Sequence, residues 1–282
     1  MILPRILAIG GSDSSGGAGI EADIKSITAL GGYAMTAITA VTAQDTRSIQ
    51  AITPIPPAFV SRTIGMVIDD IGVDAIKIGM LGSSAMVEAV AQALSRLTPK
   101  QPIVLDTVLA ATSGVSLLDP DAEAVLLRAL VPLATLITPN RFEAARLSGR
   151  SIDSADDAID AARSLCLRGA RAVLLKGGHF DGDMLIDRLV TSDFVTTFGH
   201  PRIATRHTHG TGCTLASAIA VGLANGLHLA DAVVLAQDFL QKALRAAPGY
   251  GAGHGPMGHA AVGMRASPLL HQARFSLICR GS

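Results

Sequence analysis

Short apolar runs alternate along the chain with longer stretches whose apolar residues recur at helical spacing. Residues 5–10 (RILAIG) form a strand-like run closed by glycine, and residues 18–30 then carry a helical pattern. Residues 37–42 are apolar and β-branched and read as the next strand, followed by a helix over 57–70. A strand over 75–79, a helix over 84–97 and a buried strand over 102–106 (PIVLD) continue the order. Helices over 121–130, 141–147 and 154–168 then frame strands at 135–138 and 171–176. Strands alternating with helices imply a parallel sheet with right-handed crossovers. Their hydrophobicity is continuous rather than alternating, so both sheet faces are expected to be covered.

Two regions break this rhythm. Residues 184–190 and 194–198 read as strands joined by Thr191-Ser192-Asp193, an antiparallel hairpin at the sheet edge. Helices over 214–223 and 230–246 follow, then a Gly/Pro/His-rich stretch over 249–263. Residues 264–282 carry little pattern and are expected to fray. With no internal repeat or linker, residues 1–263 are expected to form one α/β domain.

Composition excludes several classes of function. The chain has 282 residues, and its 23 basic and 23 acidic side chains cancel. Without a basic block there is no surface suited to nucleic acid. No apolar run approaches the roughly 18 residues of a membrane span. The start, Met1-Ile2-Leu3-Pro4-Arg5, lacks the features of a signal peptide, so a cytoplasmic protein is expected. Cys166, Cys213 and Cys279 are too far apart for a CxxC metal pair, and their odd number makes no disulfide framework.

In such sheets ligands sit beyond the carboxyl ends of the strands, and unusual residues cluster there. Gly10, Gly11, Ser12 and Asp13 follow the first strand, with Gly16, Gly17 and Gly19 opening the next helix. Gln44-Asp45, Gly79-Met80, Asp106, Thr138-Pro139-Asn140 with Glu143, and Lys176-Gly177-Gly178 follow later strands. Each alone is an ordinary turn composition; their convergence on one edge is the signal. The segment Thr208-His209-Gly210-Thr211-Gly212-Cys213-Thr214 runs straight into an apolar helix. Its glycines let successive N–H groups point one way, and the helix dipole favours an anion there.

Cys213 sits in the first turn of that helix, where the dipole is expected to lower the thiol pKa. Cys166, between Leu165 and Leu167, reads as a small buried hydrophobe. Asp106 and Glu143 suit a Mg²⁺ ion shared with phosphates, and Lys176 suits a phosphate partner. The H-x-H of His207 and His209 lacks a nearby third ligand for zinc. No P-loop motif is present, and Gly17-Ala18-Gly19-Ile20-Glu21-Ala22 matches the dinucleotide fingerprint only after an extra loop. An NAD-dependent oxidoreductase is therefore the reading of another class, beside a noncatalytic binder.

Residues 8–20 with Ala22-Asp23 resemble the N-terminal signature of the hydroxymethylpyrimidine/phosphomethylpyrimidine kinases of thiamine biosynthesis. So do Thr39 through Thr46, Lys77-Ile78-Gly79-Met80-Leu81, Thr138 through Ala144, Lys176-Gly177-Gly178-His179, Thr208 through Thr214 and Gly253-His254-Gly255-Pro256. The resemblance implies a ribokinase-like three-layer sandwich, its central sheet mostly parallel, its helices on both faces. It implies ATP and Mg²⁺, a homodimer, and two steps: phosphorylation of 4-amino-5-hydroxymethyl-2-methylpyrimidine, then of its monophosphate. Carried over by motif, Gln44 would hydrogen-bond the aminopyrimidine edge, donating and accepting, while Gly11, Ala18, Asp23, Met80 and Val108 line the pocket. Gly210, Thr211 and Gly212 would form the anion hole, with Cys213 as a thiolate base where related enzymes have aspartate. Asp106, Asn140, Glu143 and Lys176 would serve the nucleotide, Asp106 and Glu143 the metal. Thr112 stands where some relatives have lysine. A pyridoxine/pyridoxal kinase, which shares the G-T-G-C segment, is the nearest rival, and Gln44 discriminates against it.

Overall fold

A computed structural model describes residues 3–97, 101–110, 114, 116–179 and 182–262. Thr112, Cys279 and the expected tail over 264–282 lie outside them. The chain runs β1 (Arg5–Gly10), α1 (Gly19–Ala29), β2 (Tyr33–Ile38), β3 (Ala40–Gln44), β4 (Ile49–Pro54), α2 (Pro57–Asp70), β5 (Ala75–Ile78) and α3 (Ser84–Leu94). It continues β6 (Ile103–Leu105), α4 (Pro120–Ala129), β7 (Leu136–Ile137), α5 (Arg141–Ser148), α6 (Ala155–Leu167) and β8 (Val173–Leu175). Last come β9 (Met184–Val190), β10 (Val195–Pro201), α7 (Thr211–Ala224), α8 (Leu229–Arg245) and α9 (His259–Val262).

Eight strands form one sheet in the order β10-β9-β8-β7-β6-β5-β1-β2. All neighbours are parallel except β9, which pairs antiparallel with β8 and with β10, so the hairpin lies at an edge as expected. Alternate residues of each strand feed opposite layers. Leu7 and Ile9 pack with residues of α2, α3, α4 and α6, whereas Ile6 and Ala8 pack with residues of α1, α7 and α8. That two-sided burial explains why the strands read as unbroken apolar runs. The sheet between two helical layers is the expected three-layer α/β sandwich.

The strand expected over 37–42 is two strands. The chain turns at Thr39, which is buried; its N–H bonds Gly10 O and its hydroxyl donates to Met80 O at 2.7 Å. Beyond it, β3 leaves the main sheet and pairs antiparallel with β4. This flap is tied to the loop after β1: Ser12 N donates to Ala40 O, and Thr42 N donates to Ser12 Oγ. Helix α7 begins at Thr211, three residues before the expected start; its first turn is built from residues of low helix propensity, so the sequence pattern does not show it. The first connection from β1 leads to β2, and the sheet later resumes on β1's other side at β5. The crevice of an open α/β sheet forms at such a reversal. Among the described residues no helix is long and apolar enough to cross a membrane.

Candidate active site

A cleft of about 770 Å³ opens at this crevice, between the carboxyl ends of the strands, the flap and the start of α7. It brings together the residues to which the resemblance gave a role: Gly11, Ala18, Asp23, Gln44, Met80 and Val108, and Asp106, Asn140, Glu143 and Lys176 along β6 to β8. Gly16, Gly17, Asp45, Gly79, Thr138, Pro139 and Gly177 lie outside its lining. Gly210, Thr211, Gly212 and Cys213 lie between the two groups.

Glycine at 210, the α7 entry, is required by close approach. Gly210, the N-cap, has φ 83°, and a Cβ there would lie 1.9 Å from Gly17 O. The loops carrying Gly17 and Gly210 therefore meet backbone to backbone. No side chain caps α7, and Thr211 N donates to Thr208 O at 3.3 Å, so the first-turn N–H groups left to meet a ligand in the cleft are those of Gly212 and Cys213. A Cβ on Gly212 would sit 3.2 Å from Asp106 Oδ2 and 3.4 Å from Lys176 Nζ. The helix N-terminus thus faces the carboxylate and the lysine directly.

Lys176 Nζ donates to Asp106 Oδ1 at 3.1 Å and stands 3.9 Å from Glu143 Oε2. Thr138 Oγ1 also donates to Asp106 Oδ1, at 3.0 Å. Asn140 and Glu143 form a capping box on α5: Glu143 N donates to Asn140 Oδ1, and Asn140 N donates to Glu143 Oε2 at 2.7 Å. Burial, helped by Asp106 and opposed by Lys176, pushes the Glu143 carboxyl up to about 6. Burial works against the charge on Lys176, but Asp106 and Glu143 outweigh it and the ammonium is held above its ordinary range. Among the described residues no group of three or more His, Cys, Asp or Glu side chains is arranged to hold a metal ion. Two carboxylates beside a lysine fit a Mg²⁺ that arrives with phosphates, because this ion keeps several waters and takes few protein ligands.

Two expectations are corrected by burial. The dipole argument lowers the Cys213 thiol, but removal from water pushes it up to about 11; Lys77 and the Gly19 N–H pull it down less than burial, Asp23 and Asp106 push it up. Cys213 is a thiol in the free cleft, not a standing thiolate. Asp23 reaches the cleft only from beneath: Lys77 Nζ and Ser217 Oγ both bond it at 2.8 Å, and none of its surface is exposed.

Lys77 is the residue that sequence reasoning passed over as chemistry. It looks like one charge in an apolar strand, and that misfit was its only signal. Its Nζ is buried under Gly79, where a Cβ would come within 2.9 Å. Asp13 and His209 were missed as a pair. Asp13 accepts from the Gly17 and Ala18 N–H groups and lies 2.8 Å from His209 Nε2, which also meets the Gln44 side-chain amide at 3.1 Å. Asp187 is buried as well and accepts from Gly177 N at 2.7 Å, fixing the turn after Lys176.

The sequence profile of the family described as Phosphomethylpyrimidine kinase matches residues 13–258. The chain is 45% identical over 258 residues to a hydroxymethylpyrimidine/phosphomethylpyrimidine kinase of Rhizobium meliloti, covering 90% of this chain and 96% of that protein. It is 45% identical over 254 residues to a thiamine biosynthesis bifunctional protein of Geobacter sulfurreducens, covering 90% of this chain but 52% of that longer one. The fold superposes on the ADP complex of Bacillus subtilis pyridoxal kinase with a TM-score of 0.85 and 34% identity, over 93% of this chain and 99% of that one.

Proposed function

Because the chain belongs to the phosphomethylpyrimidine kinase family, we propose that its cleft phosphorylates the hydroxymethyl group of 4-amino-5-hydroxymethyl-2-methylpyrimidine and then the resulting monophosphate, with ATP as donor. The observation that carries this reading is Gly212 facing both Asp106 and Lys176 across the space between the two halves of the cleft. Phosphoryl transfer asks mainly for positioning and for charge aimed at the moving group. The α7 N-terminus and Lys176 supply that charge from two sides.

The acceptor binds towards the flap, with Gln44 at its amine-bearing edge and Gly11, Ala18, Met80 and Val108 around the ring. The nucleotide phosphates lie along Asn140, Glu143 and Lys176. Asp106 and Glu143 would hold Mg²⁺, which neutralises phosphate charge when bound. Cys213, a thiol, orients the hydroxyl whose oxygen attacks the γ-phosphorus as the bond to ADP breaks, and the hydroxyl proton passes to an oxygen of the transferred phosphoryl group and from there to water. A loose transition state needs little charge on the attacking oxygen before the bond forms, so a preformed thiolate is not required. The family gives the NAD-dependent reading no support.

The test is ADP release with ATP and Mg²⁺, using the hydroxymethylpyrimidine, its monophosphate and pyridoxal in turn. Turnover on both pyrimidines with little on pyridoxal is expected. Turnover on pyridoxal alone would keep the phosphoryl site and overturn the acceptor.

A further inference from the structure

Three segments meet at one imidazole beside the acceptor end of the cleft. His209 Nε2 lies 2.8 Å from Asp13 Oδ2 and 3.1 Å from the Gln44 amide. Asp13 is in the loop after β1, Gln44 ends β3, and His209 immediately precedes the N-cap of α7. The ring is confined: a Cβ on Gly17 would come within 2.6 Å of His209 Cδ2, and His209 N donates to Gly255 O. Gln44 is confined too, since Ser14 Oγ donates to its carbonyl at 2.7 Å and accepts from its N–H at 2.8 Å.

Proton positions follow from Asp13. Its two oxygens accept from Ser15 N, Ser15 Oγ, Gly17 N and Ala18 N as well as facing His209. Burial alone would raise its pKa, but His209, Ser15 and Ala18 outweigh burial and hold it down at about 2. Asp13 is therefore a carboxylate that only accepts, and His209 Nε2 must carry the hydrogen. A ring nitrogen that donates has no lone pair left for a second donor. The Gln44 amide must then turn its Oε1 towards His209, an orientation reached by a half-turn of the side-chain amide. Its Nε2 is left facing the cleft.

We propose that His209 is a positioning residue for substrate selection: it fixes Gln44 as a hydrogen-bond donor to an unprotonated ring nitrogen of the acceptor. This rests on the placement of Gln44 at the acceptor site in the preceding section. The amide does not both donate to and accept from the ring edge, as the sequence alone suggested; the exocyclic amine finds its acceptor elsewhere. A heterocycle with a protonated nitrogen at that point sets donor against donor and is refused.

The experiment measures binding of 4-amino-5-hydroxymethyl-2-methylpyrimidine by calorimetry to the wild type, Q44A, Q44E, H209A and H209A/Q44A. The carboxylate that Q44E introduces keeps an oxygen for His209 but offers only oxygen to the ring. Q44E is expected to weaken binding at least as much as Q44A, by about tenfold. H209A is expected to weaken it comparably alone and to add nothing in the Q44A background, with the KM for ATP unchanged. Wild-type affinity in Q44E, or an undiminished effect of H209A on top of Q44A, would overturn the proposal. Wild-type affinity in Q44A would instead remove Gln44 from the acceptor site, overturning the reading on which the proposal rests.

Discussion

Lys77 Nζ lies 2.8 Å from the Asp23 carboxylate, and neither side chain exposes more than 1% of its surface. A charge buried this far survives only with its partner, and burial is here outweighed chiefly by Asp23, with Asp106 behind it, in keeping Lys77 protonated. The pair lies under the cleft floor and sets a positive group beneath Cys213 and Asp106.

Removing one partner should therefore cost more than removing both. Lys77→Met is expected to lose about 3–5 kcal/mol, because it strands Asp23 without a counter-charge. Lys77→Met with Asp23→Leu should recover much of that in denaturant melts while turnover stays low. A double variant with wild-type kcat would show the pair to be structural only.

Gly212→Ala should separate stability from activity. Alanine is the better helix residue, by up to about 1 kcal/mol, so the melting temperature should hold or rise. Its methyl would occupy the space facing Asp106 and Lys176, and kcat should fall by about a hundredfold. Retained turnover would mean that phosphate does not pass there.

Glu143 gives a pH dependence with a definite sign. Its folded pKa, about 6, is above the ordinary value of 4.5. The folded protein holds the extra proton between those values, so this group's contribution falls as pH rises from about 4.5 to 6. Above pH 6 the ionised, buried carboxylate costs about 2 kcal/mol. Glu143→Gln should then stabilise the fold at pH 8 and not at pH 4, while turnover with Mg²⁺ and ATP drops. In the wild type, kcat/KM for ATP should fall below pH 6. Equal melting temperatures of variant and wild type at both pH values would contradict this.

Cys213, half-buried on the cleft wall, should behave as a thiol of raised pKa. Its alkylation by iodoacetamide, followed by peptide mapping, should accelerate about tenfold per pH unit from 7 to 10. A plateau near neutral pH would restore the thiolate. Cys213→Ala should cut turnover strongly and leave ATP binding intact.

The layers were legible because β1 and β5 to β8 are buried on both faces and their apolar runs leave no other reading. The flap was not. Residues 37–42 look continuous because the turn at Thr39 is made by bonds to Gly10 and Met80, residues distant in sequence or in another strand. Strand β4 has no buried residue and ends in proline, so it carries no amphipathic pattern. In the site, the glycines before Cys213 announced the close meeting of Gly210 with Gly17 because backbone approach leaves a mark in residue type. The Cys213 thiol went the other way: a helix terminus is visible in sequence, whereas burial beside Asp23 and Asp106 arises only when three strands and two helices converge. The same holds for His209, whose neighbours Asp13 and Gln44 come from other segments.

The most direct measurement follows the products of a single reaction by phosphorus NMR: enzyme, excess ATP, Mg²⁺ and the hydroxymethylpyrimidine. The expected course is appearance of the pyrimidine monophosphate and then of its diphosphate, with ADP formed at each step. A reaction that never phosphorylates the pyrimidine, or that stops at the monophosphate with excess ATP remaining, would contradict a cleft that serves both transfers.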